Sequence, residues 1–350
     1  MRKIGIAVLL LLSAAQISFA GNPERAGQAG GTQLLINPWA RSSGLNGLNI
    51  ASSSGIESVI NNPAGLAHTK RTELVFSHTR WLVGSEININ TFGFSQAFRK
   101  GGVIGIYAMA FDIGEIERTT ENNPDGGLGT FKPTVLNLGV SYAKAFTEHI
   151  FVGATAKMIH ESITDVSANG VAFDAGVQYK TGGESNDRFK FGLALRNVGP
   201  EMRFAGDGLS QRAVLNNNIY SSALSKVADK FQLPSVLQIG VGYDFVLDPN
   251  NKITAVGAFI SNTFSYDQLG LGGEYRFKKY LAIRASYLYE KDIFSVEDRR
   301  TAFTGFAGGA TVEIPFKSGK DQTSSFGLDY SYRSTNPFSG THSFGVRIDL

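Results

Sequence analysis

The sequence predicts an all-β protein, a transmembrane antiparallel barrel of about fourteen strands closed around an amino-terminal segment. Three observations predict it: an export leader at residues 1–20, a long succession of strand-length segments with period two, and a final segment that alternates without a break until Leu350.

The leader comes first. Arg2 and Lys3 precede an apolar run from Ile4 to Leu12, and Ser18, Phe19 and Ala20 form a small-x-small cleavage site before Gly21, the composition of a cleaved signal peptide. The run is too short to cross a bilayer, and no later stretch reaches the roughly 18 apolar residues of a membrane helix. With no cysteine in the chain, Gly21 is not a lipidated residue, and disulfides and thiolate metal sites are excluded. The expected location is the outer membrane of a Gram-negative cell, in contact with its lipid.

Residues 21–70 are rich in Gly, Ser and Asn, with short apolar pieces at Leu34 to Ile36, Leu45, Leu48, Ile56 and Ile60. They form a unit of their own, a hatch or plug, ahead of a barrel over 71–350. Strand segments are expected near 72–80, 85–98, 102–115, 133–146, 149–162, 169–181, 187–198, 233–247, 252–264, 267–277, 280–291, 300–314, 324–334 and 340–350. Leu237, Ile239, Val241, Tyr243 and Phe245, opposed by Gln238, Gly240, Gly242 and Asp244, show the pattern at its clearest. In 85–98 the apolar set changes parity, from Ile87 and Ile89 to Phe92, Phe94 and Phe98, which predicts a bulge or a strand leaving the lipid zone. Residues 199–232 form the longest interruption, opening on Gly199 and Pro200, with a short helix expected over Ser221 to Phe231. Barrels carry short periplasmic turns and long outer loops, so this region is expected outside the cell. There Met202, Phe204, Leu209, Ile219 and Tyr220 offer apolar anchors among polar groups, the composition of a partner-binding surface.

In the last segment Phe344, Val346, Ile348 and Leu350 share one face, and Ser343, Gly345, Arg347 and Asp349 the other. It resembles the carboxy-terminal assembly signal of bacterial outer-membrane barrels, matching at Ser343, Gly345, Ile348 and Leu350. Alternation alone would also suit a soluble β-sandwich; the leader and this terminal strand decide for the barrel. Composition agrees, since 41 Gly, 25 Phe and 12 Tyr supply tight turns, small inward positions and aromatic girdles.

The face opposite the apolar stripe carries Gly139, Gly153, Gly176, Gly192, Gly240, Gly242, Gly270, Gly272, Gly327 and Gly345. Two readings stay open: room for a plug, or freedom for the sheet to twist. The same face carries Lys157, Lys180, Lys190, Arg196, Arg276, Arg284, Arg333 and Arg347 against Asp174, Asp244, Glu274, Glu290, Asp329 and Asp349. Mixed signs predict cross-strand ion pairs rather than an ion-selective ring.

Catalysis, cofactors and nucleic acid have no support. His160, Ser162 and Asp165 lie close in sequence, but a triad is a matter of geometry, and Asp165 falls beyond a turn. Five scattered histidines give no metal motif, and the glycine runs lack a phosphate-loop context. Removing Arg2 and Lys3 takes the net charge from +3 to +1, too small to attract nucleic acid.

Residues 40–47, Ala-Arg-Ser-Ser-Gly-Leu-Asn-Gly, then Gly55-Ile56-Glu57-Ser58 and Asn61-Asn62-Pro63-Ala64-Gly65-Leu66-Ala67 resemble the amino-terminal signature of the PorV/PorQ family, among the FadL-like outer-membrane barrels typical of Bacteroidetes. Leu195 to Pro200 is a second, weaker block of resemblance. Asn61, Asn62, Pro63 and Gly65 are expected to end a helix or extended piece and turn the chain back into the lumen, Gly65 by a backbone turn closed to other residues, or else to touch a passing partner. The resemblance implies a fourteen-stranded barrel without enzymatic activity that serves the type IX secretion system. Its partners would be translocon or attachment-complex proteins and cargo with carboxy-terminal signal domains. The competing expectation is a FadL-like transporter for small hydrophobic molecules, which would need an inward apolar pocket.

Overall fold

The computed structural model describes residues 21–99, 101–181, 188–215, 220–317 and 323–350; the expected leader lies outside them. Fourteen antiparallel strands close into one barrel. They are β1 Thr72–Trp81, β2 Ile87–Phe98, β3 Gly102–Asp112, β4 Thr134–Ala145, β5 Ile150–Ile163, β6 Val166–Lys180 and β7 Phe189–Val198. After the long loop follow β8 Val236–Asp248, β9 Asn251–Asn262, β10 Gln268–Phe277, β11 Leu281–Glu290, β12 Phe303–Lys317, β13 Thr323–Thr335 and β14 Thr341–Asp349. Each strand pairs with its neighbours in sequence, and β14 closes on β1 with Glu73 opposite Asp349 and Arg80 opposite His342.

The burial pattern is that of a soluble protein turned inside out. Phe76, Phe92, Ile106 and Val140 are 48, 46, 44 and 60 % exposed, while Ser77, Thr91, Thr155 and Asp174 on the opposite faces are buried. An apolar belt of this extent requires a hydrocarbon solvent. No helix among the described residues is long and apolar enough to cross a membrane; the strands cross instead.

The parity change in β2 involves neither a bulge nor an exit from the wall, because its registers with β1 and β3 run unbroken. Ile89 points inward and is fully buried in a cluster with Trp39, Ile56 and Met109. The inner face is apolar there because something apolar is packed against it. A real irregularity lies between β6 and β7, where the register shifts between Phe173 and Ala175, and Asn197 takes a left-handed φ of 59°.

Thr72 and Leu350 lie at the end of the barrel that carries the tight turns, and the segments 113–133, 199–235 and 291–302 lie at the other. Short turns face the periplasm, so the long loops face outward. The helix expected at Ser221–Phe231 does not form. Ser210–Leu215 and Tyr220–Ser225 make a hairpin, standing on a smaller pair formed by Met202–Arg203 and Lys230–Phe231. A lone helix this short has no apolar surface to lean on, whereas the hairpin satisfies its own backbone groups.

Candidate functional site

The lumen is occupied by the chain's own amino-terminal segment. At the outward end the Gly21 backbone nitrogen donates to Asp267 Oδ2 at 2.8 Å, Arg300 Nη1 donates to the Pro23 carbonyl at 2.6 Å, and Arg25 Nη2 donates to Gln232 Oε1 at 2.6 Å. Ala29 then bridges Gln232 in the long loop. From Thr32 the segment descends through a series of single turns: 3₁₀ at Thr32–Leu35, α at Ala40–Ser43, and 3₁₀ at Asn49–Ala51, Ile56–Ile60 and Pro63–His68. It meets β1 at the periplasmic end. Trp39, Leu48, Ile50, Ile56, Val59 and Leu66 are fully buried against the wall, and single turns allow the segment to follow the curved interior where a rigid helix would not.

The inward glycines lie under this segment. A Cβ on Gly153 would fall 2.7 Å from the Ala64 backbone nitrogen, on Gly192 2.7 Å from the Ile50 carbonyl, and on Gly270 2.7 Å from Leu48 Cδ1; on Gly176 it would strike the Asn62 side chain. Gly93 and Gly105, outside the set expected from alternation, face Ile56 in the same way. Gly139 and Gly327 face the wall residues Tyr107 and Arg347 instead, so part of the set serves strand packing. Where the wall is not glycine it binds the segment's backbone. Gln178 Nε2 donates to the Ile50 and Ser53 carbonyls at 2.9 and 3.1 Å, Ser77 Oγ to the Pro38 carbonyl at 2.7 Å, and the Ile56 N–H donates to Glu73 Oε2 at 2.6 Å.

The Asn-Asn-Pro-Ala-Gly block is the segment's hub. Asn62 Nδ2 donates to the Ile50 and Val177 carbonyls at 3.1 and 3.0 Å, and Asn62 Oδ1 accepts from the Ala64 N–H at 3.1 Å. Asn61 links Asn37 and Asn49 at 2.7 and 2.8 Å. The block ends one turn, as expected, and also opens the next: the Ile56–Ile60 turn stops before Asn62, which is extended ahead of Pro63, and Pro63 begins a new turn with Asn62 as its side-chain cap. One expectation changes. Gly65 is required for space and not for a special backbone angle, since its φ is not positive and an added Cβ would lie 2.6 Å from Ser58 Cβ. The second block, Leu195 to Pro200, holds the same segment from the wall. Arg196 Nη2 donates to the Leu34 carbonyl at 3.0 Å, while Lys157 Nζ bridges Asn197 Oδ1 and Asp174 Oδ2 at 2.7 and 2.6 Å.

Ion pairs join segment and wall. Arg347 lies within 4.0 Å of Asp349, Glu313, Asp329 and the segment's Glu57, and Arg41 reaches Glu57 and Asp329 at 3.8 and 4.0 Å. Lys190 with Asp244 and Arg284 with Glu274 are cross-strand pairs of the kind expected from mixed signs, while Arg276 meets Glu274 along its own strand. Burial pushes the Glu57 carboxyl up to about 7, against the pull of Arg41, and burial with the nearby Lys180 pushes His68 down to about 4. The signs oppose. Glu57, raised in the fold, withdraws stability as pH rises from about 4.5 to about 7, whereas His68, lowered, withdraws it as pH falls from about 6.5 to about 4. The expected result is that the melting midpoint of a Glu57→Gln variant, read by heat-induced gel mobility, gains on wild type as pH rises through 4.5–7. A pH-independent difference would remove Glu57 from the account.

The other predicted site residues lie as follows. Met202 is 1 % exposed and packs inward with Leu34, Ile159 and Leu233, so it anchors the base of the loop and presents nothing outward. The Phe204 ring lies 5.5 Å from that of Phe231, tilted by 39°, on the same cluster. Leu209 is half-buried; Ile219 and the side chain of Tyr220 lie outside the described residues. Among the described side chains of this loop, Leu224 and Val227 are exposed. Ser343 and Gly345 point into the lumen, Ile348 lies on the outer face, and the Leu350 N–H donates to the Thr72 carbonyl at 2.9 Å, closing the barrel. His160 Nδ1 meets Asn169 Oδ1 at 2.8 Å across the strands and engages neither Ser162 nor Asp165. Among the described residues no group of three His, Cys, Asp or Glu could hold a metal.

Open space remains at both ends. The periplasmic side has cavities of about 830 and 560 Å³, sharing Arg41, His68, Lys70 and Arg276. The outward side has one of about 430 Å³ bounded by Trp81, Phe303, Arg333, Gln238, Asn37 and Asn61, among others.

The profile of a family described as "Type IX secretion system protein PorV" matches residues 21–263. Among solved structures the chain is similar to the CymD monoaromatic hydrocarbon channel, at 13 % identity and a TM-score of 0.50 over 90 % of this chain and 97 % of that one. It is also similar to a Pseudomonas aeruginosa FadL homologue, at 12 % identity and a TM-score of 0.50 over 88 and 96 %. At such identities the likeness is one of fold. No curated protein matches significantly.

Proposed function

The chain belongs to the PorV family of type IX secretion system proteins, and from that we propose that it is an accessory subunit of the system, binding translocon or cargo proteins through its outward loops. The observation that carries this reading is the filled lumen. Residues 32–68 occupy the barrel from end to end, held by backbone hydrogen bonds and by ion pairs to two wall strands, β13 and β14. We take this segment to be a resident plug. A barrel so filled offers its surroundings its loops and rims, and the 199–235 loop, with its raised hairpin, is the largest of these.

The transporter reading would need an apolar path. The outward cavity instead carries Arg333 and several amide side chains among its walls, and the periplasmic cavities carry lysine and arginine, which favours the interaction role.

The test replaces residues 207–228 by a short Gly-Ser linker, which keeps Met202–Arg203 and Lys230–Phe231 and so leaves the loop's buried base intact. After affinity purification from native outer membranes in mild detergent, the full chain is expected to bring down a large translocon barrel or secreted cargo in stoichiometric amount, and the trimmed chain about tenfold less or none. Recovery of the barrel alone in both cases, with a bound apolar molecule, would replace this reading by the transporter.

A further inference from the structure

Of the cations that the wall turns inward, Arg333 stands apart. Lys157, Lys190, Arg276, Arg284 and Arg347 each meet a carboxylate within 4.0 Å; among the described residues Arg196 and Arg333 meet none, but Arg196 donates to the Leu34 carbonyl and lies in the field of Asp174, whereas no carboxylate acts on Arg333. Its Nε donates to Asn46 Oδ1 at 3.1 Å, and its guanidinium carbon sits 3.7 Å from the centroid of the Phe303 ring. No described residue hydrogen-bonds Nη1 or Nη2, and the side chain borders the outward cavity of about 430 Å³. A half-buried guanidinium without a counter-charge contributes little to stability, which alone does not explain its presence.

The surroundings hold it in readiness. The register of β12 against β13 slips between Phe303 and Ala307, with Gly305 at a φ of 93°, and such an irregularity re-aims side chains. Asn46 of the lumen segment pins it by donating to the Gly305 carbonyl at 2.9 Å while accepting from Arg333. Trp81 meets Phe303 edge-on at 5.4 Å, so one wall of the cavity is aromatic. On another wall Gln238 Oε1 is buried without a donor, an acceptor waiting for an N–H.

We propose that this cavity is a binding site for a carboxylate-bearing guest entering from outside the cell. The two Nη groups of Arg333 grip the carboxylate as a fork, the guest's flat or apolar part lies along Trp81 and Phe303, and an amide N–H beside the carboxylate reaches Gln238. A small N-acylated amino acid and the free carboxyl end of a polypeptide both present that chemistry. The site stands on its own geometry and does not depend on which proteins the loops bind.

The test uses the full-length barrel in detergent micelles, with N-benzoylglycine, its neutral amide N-benzoylglycinamide, and a tetrapeptide ending in phenylalanine with a free or amidated carboxyl end. Binding is read from the emission of Trp81 and by calorimetry. N-benzoylglycine or the free-ended tetrapeptide is expected to bind saturably, and its amide at least about tenfold more weakly. Arg333→Met is expected to lose about 10–100-fold in affinity for the acid, while the ligand-free variant melts at the same temperature as wild type or higher. Binding of the small acid alone identifies small acids as the guest; tighter binding of the tetrapeptide identifies a chain end. Equal binding of acid and amide, no binding of any acid, or a ligand-free Arg333→Met barrel that melts well below wild type would overturn the proposal, the last by making Arg333 a structural strut.

Discussion

Replacement of Gly153 by valine is expected to turn a closed barrel into a conducting one. The new Cβ would fall 2.7 Å from the Ala64 nitrogen and against the Pro63 carbonyl, and these are backbone atoms at the hub of the lumen segment, which cannot rotate away as a side-chain tip can. Overpacking of this kind costs about 1–3 kcal/mol for modest insertions and more where the obstacle is rigid. Asn62 holds the same turn to the Ile50 and Val177 carbonyls, so strain at Pro63 is passed to those bonds. In planar bilayers the wild type should remain near baseline, and Gly153→Val should carry an ohmic current with a lowered melting midpoint. Gly242→Ala is the internal control, since that inward glycine has nothing closer than 3.7 Å to an added Cβ and the variant should stay closed. A Gly153→Val barrel as closed and as stable as wild type would mean that the segment does not seal the lumen.

The second large effect is expected at Arg347. It is 3 % exposed and lies 3.1 to 3.7 Å from Asp349, Glu313, Asp329 and Glu57, carboxylates of β14, β12, β13 and the lumen segment. Arg347→Leu leaves them to repel one another with only Arg41, at 3.8 and 4.0 Å from Glu57 and Asp329, and Arg284, at 4.0 Å from Asp329, to offset them, and breaking a buried pair from one side costs about 3–5 kcal/mol. The loss should appear in the urea midpoint for unfolding from lipid, and Glu57→Gln in the same background should recover part of it, because one repelling carboxylate becomes neutral. A loss below about 1 kcal/mol, in the range of exposed pairs, would show that the network is solvated and idle.

These two sites divide along what a linear chain can reveal. The strands were legible because period-two alternation is a local property: each residue's side of the wall follows from the parity of its position, and lipid outside with polar groups inside leaves the pattern uninterrupted. All fourteen segments and the closing role of β14 came out that way. Where alternation changed at Ile87 and Ile89, the cause was nonlocal, since Trp39 and Ile56 lie against that face. The residues near 221–231 failed as a helix because the partner that makes them a strand, Ser210–Leu215, is identifiable only once the hairpin has formed.

By itself the sequence determined the barrel and its strand number, because both rest on composition and periodicity. Only the tertiary structure decided that the amino-terminal segment lies on the glycine track of the wall, that Gly65 and Gly153 are needed for space, that Met202 faces inward, and that Arg333 touches Asn46 with no carboxylate among the described residues within reach. The physical reason is separation along the chain. Arg333 and Asn46 are 287 positions apart, and whether a charge is paired or a glycine crowded depends on what barrel closure brings opposite it, which no local pattern encodes.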